Sequence, residues 1–384
     1  EHMVARLARR HGGLPAPEMV SHGLLDEVTF LVEQPACLIG AFDAKFLDLP
    51  REVLLASMAK YQRLFALDAT AGNQRRKGTA LVPKFIAVLD GPPRASARVR
   101  GMFEHILNAR LADSLLFRNE DRRRLPLERM ATGLSGVTFH EQLGSMAEKT
   151  QRLRALCEPL GVAWKLTDEE QRHLRRACQL AKADLVSSMV REFPTLQGVV
   201  GRYYATDSGE APSIAHAIEE HYLPVGNRLP KTLIGMALSI LDKFDSLVSY
   251  FGLGIEPTGD EDPFGLRRAA QGIVEVAWQA HRPLPLNGLL RASGSLEPLR
   301  SAEPSRAAAA GARAQRYLLG RLYTFDWPSP KPPADYIDAV LSSPCPDLVD
   351  TMDRIRSLRT LNGHPGLLKA AKVIDKFQKN SSIW

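Results

Sequence analysis

The feature that most limits what this chain can fold into is a series of apolar stripes at helical spacing between Ala95 and about Gln279. Phe103, Ile106, Leu107, Leu111 and Leu115 mark one amphipathic helix. Leu174, Ala177, Leu180, Ala181, Leu185 and Met189 mark a second. Leu233, Ala237, Ile240, Leu241, Phe244, Val248 and Phe251 mark a third, which Pro230 precedes. Apolar residues recurring every three or four positions turn one face toward a core. The spacing therefore predicts a helical domain over 95–290, with the stripes as packing surfaces rather than cofactor contacts.

The stretch before it reads differently. Short runs rich in β-branched and aromatic residues, 36–42 and 85–89, are bounded by Gln34-Pro35 and by Asp90-Gly91-Pro92-Pro93, which are turn signals. Between them 50–65 has helical spacing, with Pro50 suited to a first turn. The polar stretch 68–79 reads as a loop between strands. Residues 24–94 are thus expected to be an α+β region. Residues 1–23 are set aside as a tail or scar, with Arg-rich 4–10 open as the end of an upstream helix or part of a transit peptide. A Ser-, Gly-, Pro- and Ala-rich run over 291–314 reads as a linker or a disordered insertion and marks a domain boundary. A further helical domain over 315–384 follows, interrupted by Pro-rich 327–333. The expected fold class is mainly α with an N-terminal α+β region.

A length of 384 residues fits two or three domains. No stretch approaches the ~20 apolar residues that span a bilayer. Cys37, Cys157, Cys178 and Cys345 lack metal spacing and are too far apart for a small disulfide framework, which suits a reducing compartment. The net charge of +7 permits a polyanionic partner without requiring one.

No phosphate-binding loop of the GxxxxGK[ST] kind, GxSxG elbow or HExxH helix is present. The densest candidate constellation is His140, Asp184, His221, Asp242 and Asp245. Asp184 follows Leu180 and Ala181 by four and three positions, which would set a carboxylate beside the apolar face of its helix. Asp242 and Asp245 lie three apart and share a helix face. One reading is a metal-dependent phosphohydrolase of the HD type, in which imidazole and carboxylates hold a metal that activates water. Ala183, just before Asp184, cannot ligate. That favours a relic whose charges are satisfied by Lys, Arg and backbone groups, with no metal ligands assigned.

Three basic sets are candidates for phosphate contact. Arg122, Arg123 and Arg124 cluster among neighbouring acids, so a phosphate-binding face and a solvated face stand equally open. Arg354, Arg356 and Arg359 lie on one helical pattern, and Lys369, Lys372, Lys376 and Lys379 form a ridge on a terminal one. Both are readable as plain surface or as RNA backbone contacts. Tyr317, Tyr323, Phe325 and Trp327 are candidates for base stacking or for packing.

From Phe193 onward, FPTLQGVVGRYYA, AIEEHYLP and LDKFDSLVSYFGLGIEPTGDEDPFGLRRAA resemble the beta subunit of bacterial glycyl-tRNA synthetase. Upstream, LLDEVTFLVEQPACLIGAFDAKFLDLPREVL, PKFIAVLDG, ARLADSLLFRNEDR and GVTFHEQLGSMAEKT resemble it in the same order. The similarity is strong over 24–280 and weaker over 315–378. The family chain is longer at both ends.

The resemblance implies an HD-like helical central domain followed by a helical domain like an anticodon-binding one. It implies that tRNA(Gly) and a glycyl-tRNA synthetase alpha part are the partners. The alpha part, separate or fused, would hold the catalytic core for ATP, Mg and glycine, leaving no cofactor or catalytic residue to this chain. An α2β2 or fused dimeric assembly without membrane attachment is expected. The compartment would be cytoplasmic, with chloroplast or mitochondrion as the alternative. Val225 stands where the family usually has Arg, Tyr61 where it has His, and Gly265 where it has Ala. These changes put individual tRNA contacts in doubt.

Overall fold

In chain order the elements are α1 (His2–Arg10), β1 (Gly13–Pro15), α2 (Pro17–Ser21), α3 (Leu24–Leu31), β2 (Pro35–Ala41), α4 (Arg51–Gln62), β3 (Phe65–Ala69), β4 (Leu81–Asp90) and α5 (Ser96–Arg123). Then come α6 (Leu127–Ala131), β5 (Thr138–His140), β6 (Gly144–Ser145), α7 (Met146–Trp164), α8 (Asp168–Leu180), α9 (Ser188–Glu192), α10 (Val199–Asp207), α11 (Pro212–Glu220) and α12 (Leu233–Gly252). The last are α13 (Leu266–Ala280), α14 (Leu286–Gly294), α15 (Pro304–Gly320), α16 (Ala334–Leu341) and α17 (Leu348–Thr360). This computed structural model describes residues 2–21, 23–69, 81–92, 95–258, 261–294 and 304–360. The chain is mainly helical with a small N-terminal sheet, and it divides into two units.

Unit 1 comprises Glu1–Pro126 and Leu185–Val200. Its four strands are antiparallel in the order β1-β3-β4-β2. β4 lies inside the sheet yet contains Pro83, which cannot donate a ladder hydrogen bond. The register between β3 and β4 slips there: Ala66 faces Phe85, but Leu67 faces Val82. This bulge removes the demand for the missing N–H. On the other side Gly40 faces Phe85, whose ring lies where a β-carbon would be, 2.3 Å away.

Residues 2–21 are not a tail: β1 pairs with β3, and Ala8 and Ala16 are buried. The expected boundary at 94/95 also moves, because α5 belongs to unit 1. Glu104 and Asn108 on α5 accept the backbone N–H groups of Ala41 and Asp43, both at 2.9 Å. The stripe on α5 was legible, but helical periodicity does not say which core a helix joins.

Unit 2 comprises Leu127–Asp184 and Gly201–Trp384. Its centre is α12, buried along nearly its whole length and contacted by α7, α8, α11, α13 and α15. Capping boxes start two of these neighbours: Ser145 with Glu148 at α7, and Thr167 with Glu170 at α8. Gly265, in the left-handed region at φ 67°, caps α13, so an alanine at this position would be strained.

Within the expected linker 291–314, the described residues 291–294 and 304–314 are helix. α14 runs to Gly294, and α15 begins at Pro304 and packs Ala310, Ala314 and Leu318 inward. Alanine is the strongest helix former, so an Ala-rich run need not be a linker. Residues 315–360 do not form a separate body among the described residues. Backbone hydrogen bonds from Leu286 to Pro346 (2.9 Å) and from Leu348 to Leu284 (3.2 Å) tie α17 to the segment after α13. No helix among the described residues is long and apolar enough to cross a membrane.

Candidate functional site

A helix apolar all round is buried, and carboxylates on it require partners. On α12, Asp242 and Asp245 meet this requirement through α7, whose Lys149 and Arg152 are three apart and face inward. The Lys149 ammonium donates to Asp245 Oδ2 at 3.0 Å, Ser246 Oγ at 2.8 Å and the Asp242 carbonyl at 3.1 Å. Its three hydrogens are then used. Asp242 Oδ1, 3.2 Å from the same nitrogen, is held by charge without an aligned hydrogen bond. Arg152 donates from Nε to Asp245 Oδ1 at 2.7 Å and from Nη2 to Oδ2 at 3.2 Å, the two-pronged geometry that suits guanidinium to carboxylate.

The second cation on Asp242 is Lys182, which donates to Oδ2 at 2.9 Å. Its backbone is left-handed, with φ 65°, unusual for a lysine. α8 ends at Leu180, so the second predicted stripe falls on three elements rather than one: α8, the 3-10 turn Ala183–Val186 and α9. Asp184 lies in the 3-10 turn Ala183–Val186, not on the helix face expected for it. It is fully buried and accepts from the Tyr222 hydroxyl at 3.0 Å. Lys182 sits 4.0 Å from the centre of the Tyr222 ring. His221, the C-cap of α11, is 2.6 Å from the Ile218 carbonyl through Nδ1, which fixes its other nitrogen as the acceptor.

Charge balance explains the protonation states. Burial alone would raise the Asp242 carboxyl, but Lys149 and Lys182 outweigh it and hold the group well below its usual range. Burial opposes the Lys149 charge as well, and its two aspartates overcome that and raise it. Lys182 has less compensation, and burial pulls it down. Burial and Lys182 keep His221 neutral. Asp184, Asp242 and Asp245 thus oppose Lys149, Arg152 and Lys182. Lys243 is the surplus cation: its ammonium meets the carbonyls of His221 and Leu223 and the hydroxyl of Ser239. Burial brings its pKa down to about 7.

The structure brings Asp184, His221, Asp242 and Asp245 into one buried region and leaves His140 outside that hydrogen-bond network. His140 ends β5, half-exposed, with its ring against Tyr250 and Phe264 at 5.5 and 5.7 Å. Its neighbour Phe139 lies against the centre instead, 4.6 Å from Lys149. These residues do not fit a divalent metal. Ammonium groups occupy the charge-facing side of Asp242, Asp184 is bound by a tyrosine, and a metal would face Lys149 and Lys182 at close range in a medium that screens poorly. Among the described residues no group of three or more His, Cys, Asp and Glu side chains has metal-holding geometry.

The basic candidates separate by engagement. Arg124 donates to the Val186 carbonyl at 2.7 Å, beside buried Asp121, which caps α9 by accepting from Ser188 and Met189. Arg122 and Arg123 are exposed at the end of α5. On α17, Arg354 pairs with Asp350 at 2.9 Å, and Arg359 donates to the carbonyls of Pro328 and Pro330. Arg356 is exposed. Lys369, Lys372, Lys376 and Lys379 lie outside the described residues. Lys149, Arg152, Lys182, Lys243 and Tyr222 were not singled out from sequence. Their available signal was a charged residue on an apolar helix face: Lys149 and Arg152 sit beside the buried Leu153 and Leu156.

Residues 2–342 match the family described as the glycyl-tRNA synthetase beta subunit. Curated relatives include glycine–tRNA ligase beta subunits. That of Acaryochloris marina is 44% identical over 71% of this chain and 38% of its own length. That of Gloeothece citriformis is 36% identical over 95% and 51%, and that of Geobacter sulfurreducens 39% over 94% and 50%. The chain spans about half the length of the last two and less of the first. It belongs to the glycyl-tRNA synthetase beta subunit family.

Proposed function

We propose that this chain is the tRNA-binding, non-catalytic beta part of a glycine–tRNA ligase. It positions tRNA(Gly) for ATP-dependent glycylation by an alpha part, separate or fused, which supplies the ATP and Mg chemistry in an α2β2 or fused dimeric assembly. The family match over residues 2–342 carries this reading. In this reading the helices packed around α12, within 95–290, are HD-like, with the former metal position filled by lysine ammonium groups, and 315–384 is the start of an anticodon-binding-like domain. The pairing of the Asp242 and Asp245 carboxylates with Lys149, Arg152 and Lys182 supports that relic over an independent phosphohydrolase acting on nucleotides or RNA.

In this reading the chain contributes position and charge. Exposed arginines such as Arg123 and Arg356 neutralise phosphates. The test is binding of a tRNA(Gly) transcript to the full chain across a KCl series. Log affinity is expected to fall linearly with log salt, with a slope set by the number of neutralised phosphates. A flat response, or no binding at low salt, overturns the proposal. Stoichiometric divalent metal held by His140 and Asp184 would restore the phosphohydrolase.

A further inference from the structure

One pocket in unit 2 has no part in the buried centre. It is lined by Trp278, Trp327, Pro328, Pro332, Arg356 and Arg359 and has a volume of about 220 Å³. Trp278 comes from α13, the two arginines from α17, and the remainder from the Pro-rich segment between η-turn 321–323 and α16. Its walls are fixed in advance. The Trp327 indole donates to the Leu322 carbonyl at 2.8 Å. Phe325 and Trp327 hold the Trp278 ring edge-to-face, with centroids 5.6 and 5.7 Å away. Arg359 fastens the loop through the carbonyls of Pro328 and Pro330.

The chemistry of this lining is selective. The flat walls suit an aromatic ring or a proline. The volume is below the roughly 300–1,000 Å³ of clefts that enclose a whole small-molecule ligand, so a single planar group entering from a longer chain fits better than a metabolite. Two arginines line the pocket and would repel a cation, so the aromatic walls do not act as a cage for one. Instead Arg356, exposed, holds its guanidinium 5.9 Å from the Trp278 ring centre. A ring wall with an exposed guanidinium over it matches a nucleobase followed by its phosphate, the arginine swinging from the ring to the phosphate as the base stacks. A proline-rich peptide would use the walls, but it brings no fixed negative charge for Arg356 to meet.

We propose that this pocket accepts one unstacked base of a single-stranded RNA segment, with Trp278 stacking on the base and Arg356 meeting the adjacent phosphate. The proposal rests on the tRNA-binding reading and adds a particular contact to it. Duplex RNA, whose bases are already stacked and paired, does not enter.

The test compares the full chain with Trp278→Ala, Trp278→Phe and Arg356→Glu. The probes are a tRNA(Gly) transcript, an oligouridylate of about ten nucleotides, and a duplex RNA of equal charge. Trp278→Ala is expected to weaken oligouridylate binding about tenfold, with Trp278→Phe restoring most of it and duplex binding unchanged. Arg356→Glu is expected to weaken oligouridylate binding and to lower its salt slope by at least one. Because Arg356 is exposed, this second variant tests the site even if Trp278→Ala does not fold. Crosslinking of 5-iodouridine RNA should fall on Trp278. Oligouridylate binding unaffected by both variants overturns the inference, as does crosslinking elsewhere or competition by a proline-rich peptide but not by RNA. If the tRNA(Gly) transcript still binds in those cases, the tRNA reading stands. If the unaltered chain binds no RNA, both fail.

Discussion

The buried centre around α12 and the exposed arginines at the ends of α5 and α17 use the same residue types for opposite purposes. At the centre Lys149 and Arg152 are almost wholly removed from water, and aspartates, a serine and carbonyls take their hydrogens. Their charge is cancelled within a few ångströms. Arg123 and Arg356 face solvent, where their field reaches an approaching polyanion. A formal charge of +7 counts both sets alike. Burial and partners decide which positive charges hold the fold and which are available to a ligand.

The sharpest way to break this contrast is to remove a carboxylate from the centre. Asp245→Ala leaves two buried cations without their shared acceptor, and breaking a buried pair in this way costs about 3–5 kcal/mol. Equilibrium urea unfolding should show that loss. A change below about 1 kcal/mol, within the range of an ordinary surface substitution, would mean that the centre does not hold α7 to α12.

Lys243 gives a second test through pH. Its folded-state pKa of about 7 lies below the ordinary 10.5. Between those values the unfolded chain binds a proton that the folded chain does not, so stability rises as pH increases. The slope is at most about 1.4 kcal/mol per pH unit. Below pH 7 this contribution is flat, and above 10.5 it is complete. Lys243→Met removes it. Unfolding midpoints of the two proteins between pH 7.5 and 9.5 should show the unaltered chain gaining relative to the variant. Parallel curves would show that Lys243 keeps its proton in the fold.

The smallest stability effect is expected at the exposed end of the comparison. Arg123→Gln should change stability by no more than about 0.5 kcal/mol. If Arg123 meets a phosphate, the same variant lowers the salt slope of tRNA(Gly) binding by about one. Loss of stability with an unchanged slope would place Arg123 with the structural arginines, as the Val186 contact already places Arg124.

Parts of this picture were legible from residues alone. The runs 36–42 and 85–89 fall within or against the paired strands β2 and β4, and the stripe from Leu233 to Phe251 is α12. Asp242 and Asp245 were recognised as sharing a face. Other readings failed for identifiable reasons. The stripe from Leu174 to Met189 continues in helical phase, while the backbone turns at the left-handed Lys182 and regroups the residues beyond it. A linker was read from composition at 291–314, although within 304–314 alanine at 310 and 314 has the spacing of a packed helix.

Sequence by itself determined the mainly helical class, the N-terminal strands and membership of a family, because each is written in local periodicity or in ordered motifs. Only the tertiary structure decided that α5 joins the sheet and that Lys149 and Lys182 neutralise Asp242 from 93 and 60 positions away. Only the tertiary structure set Trp278 beside Arg356. The reason is physical: periodicity reports which face of an element is apolar, whereas the partner of a buried charge depends on which elements meet, and that is settled when the chain packs.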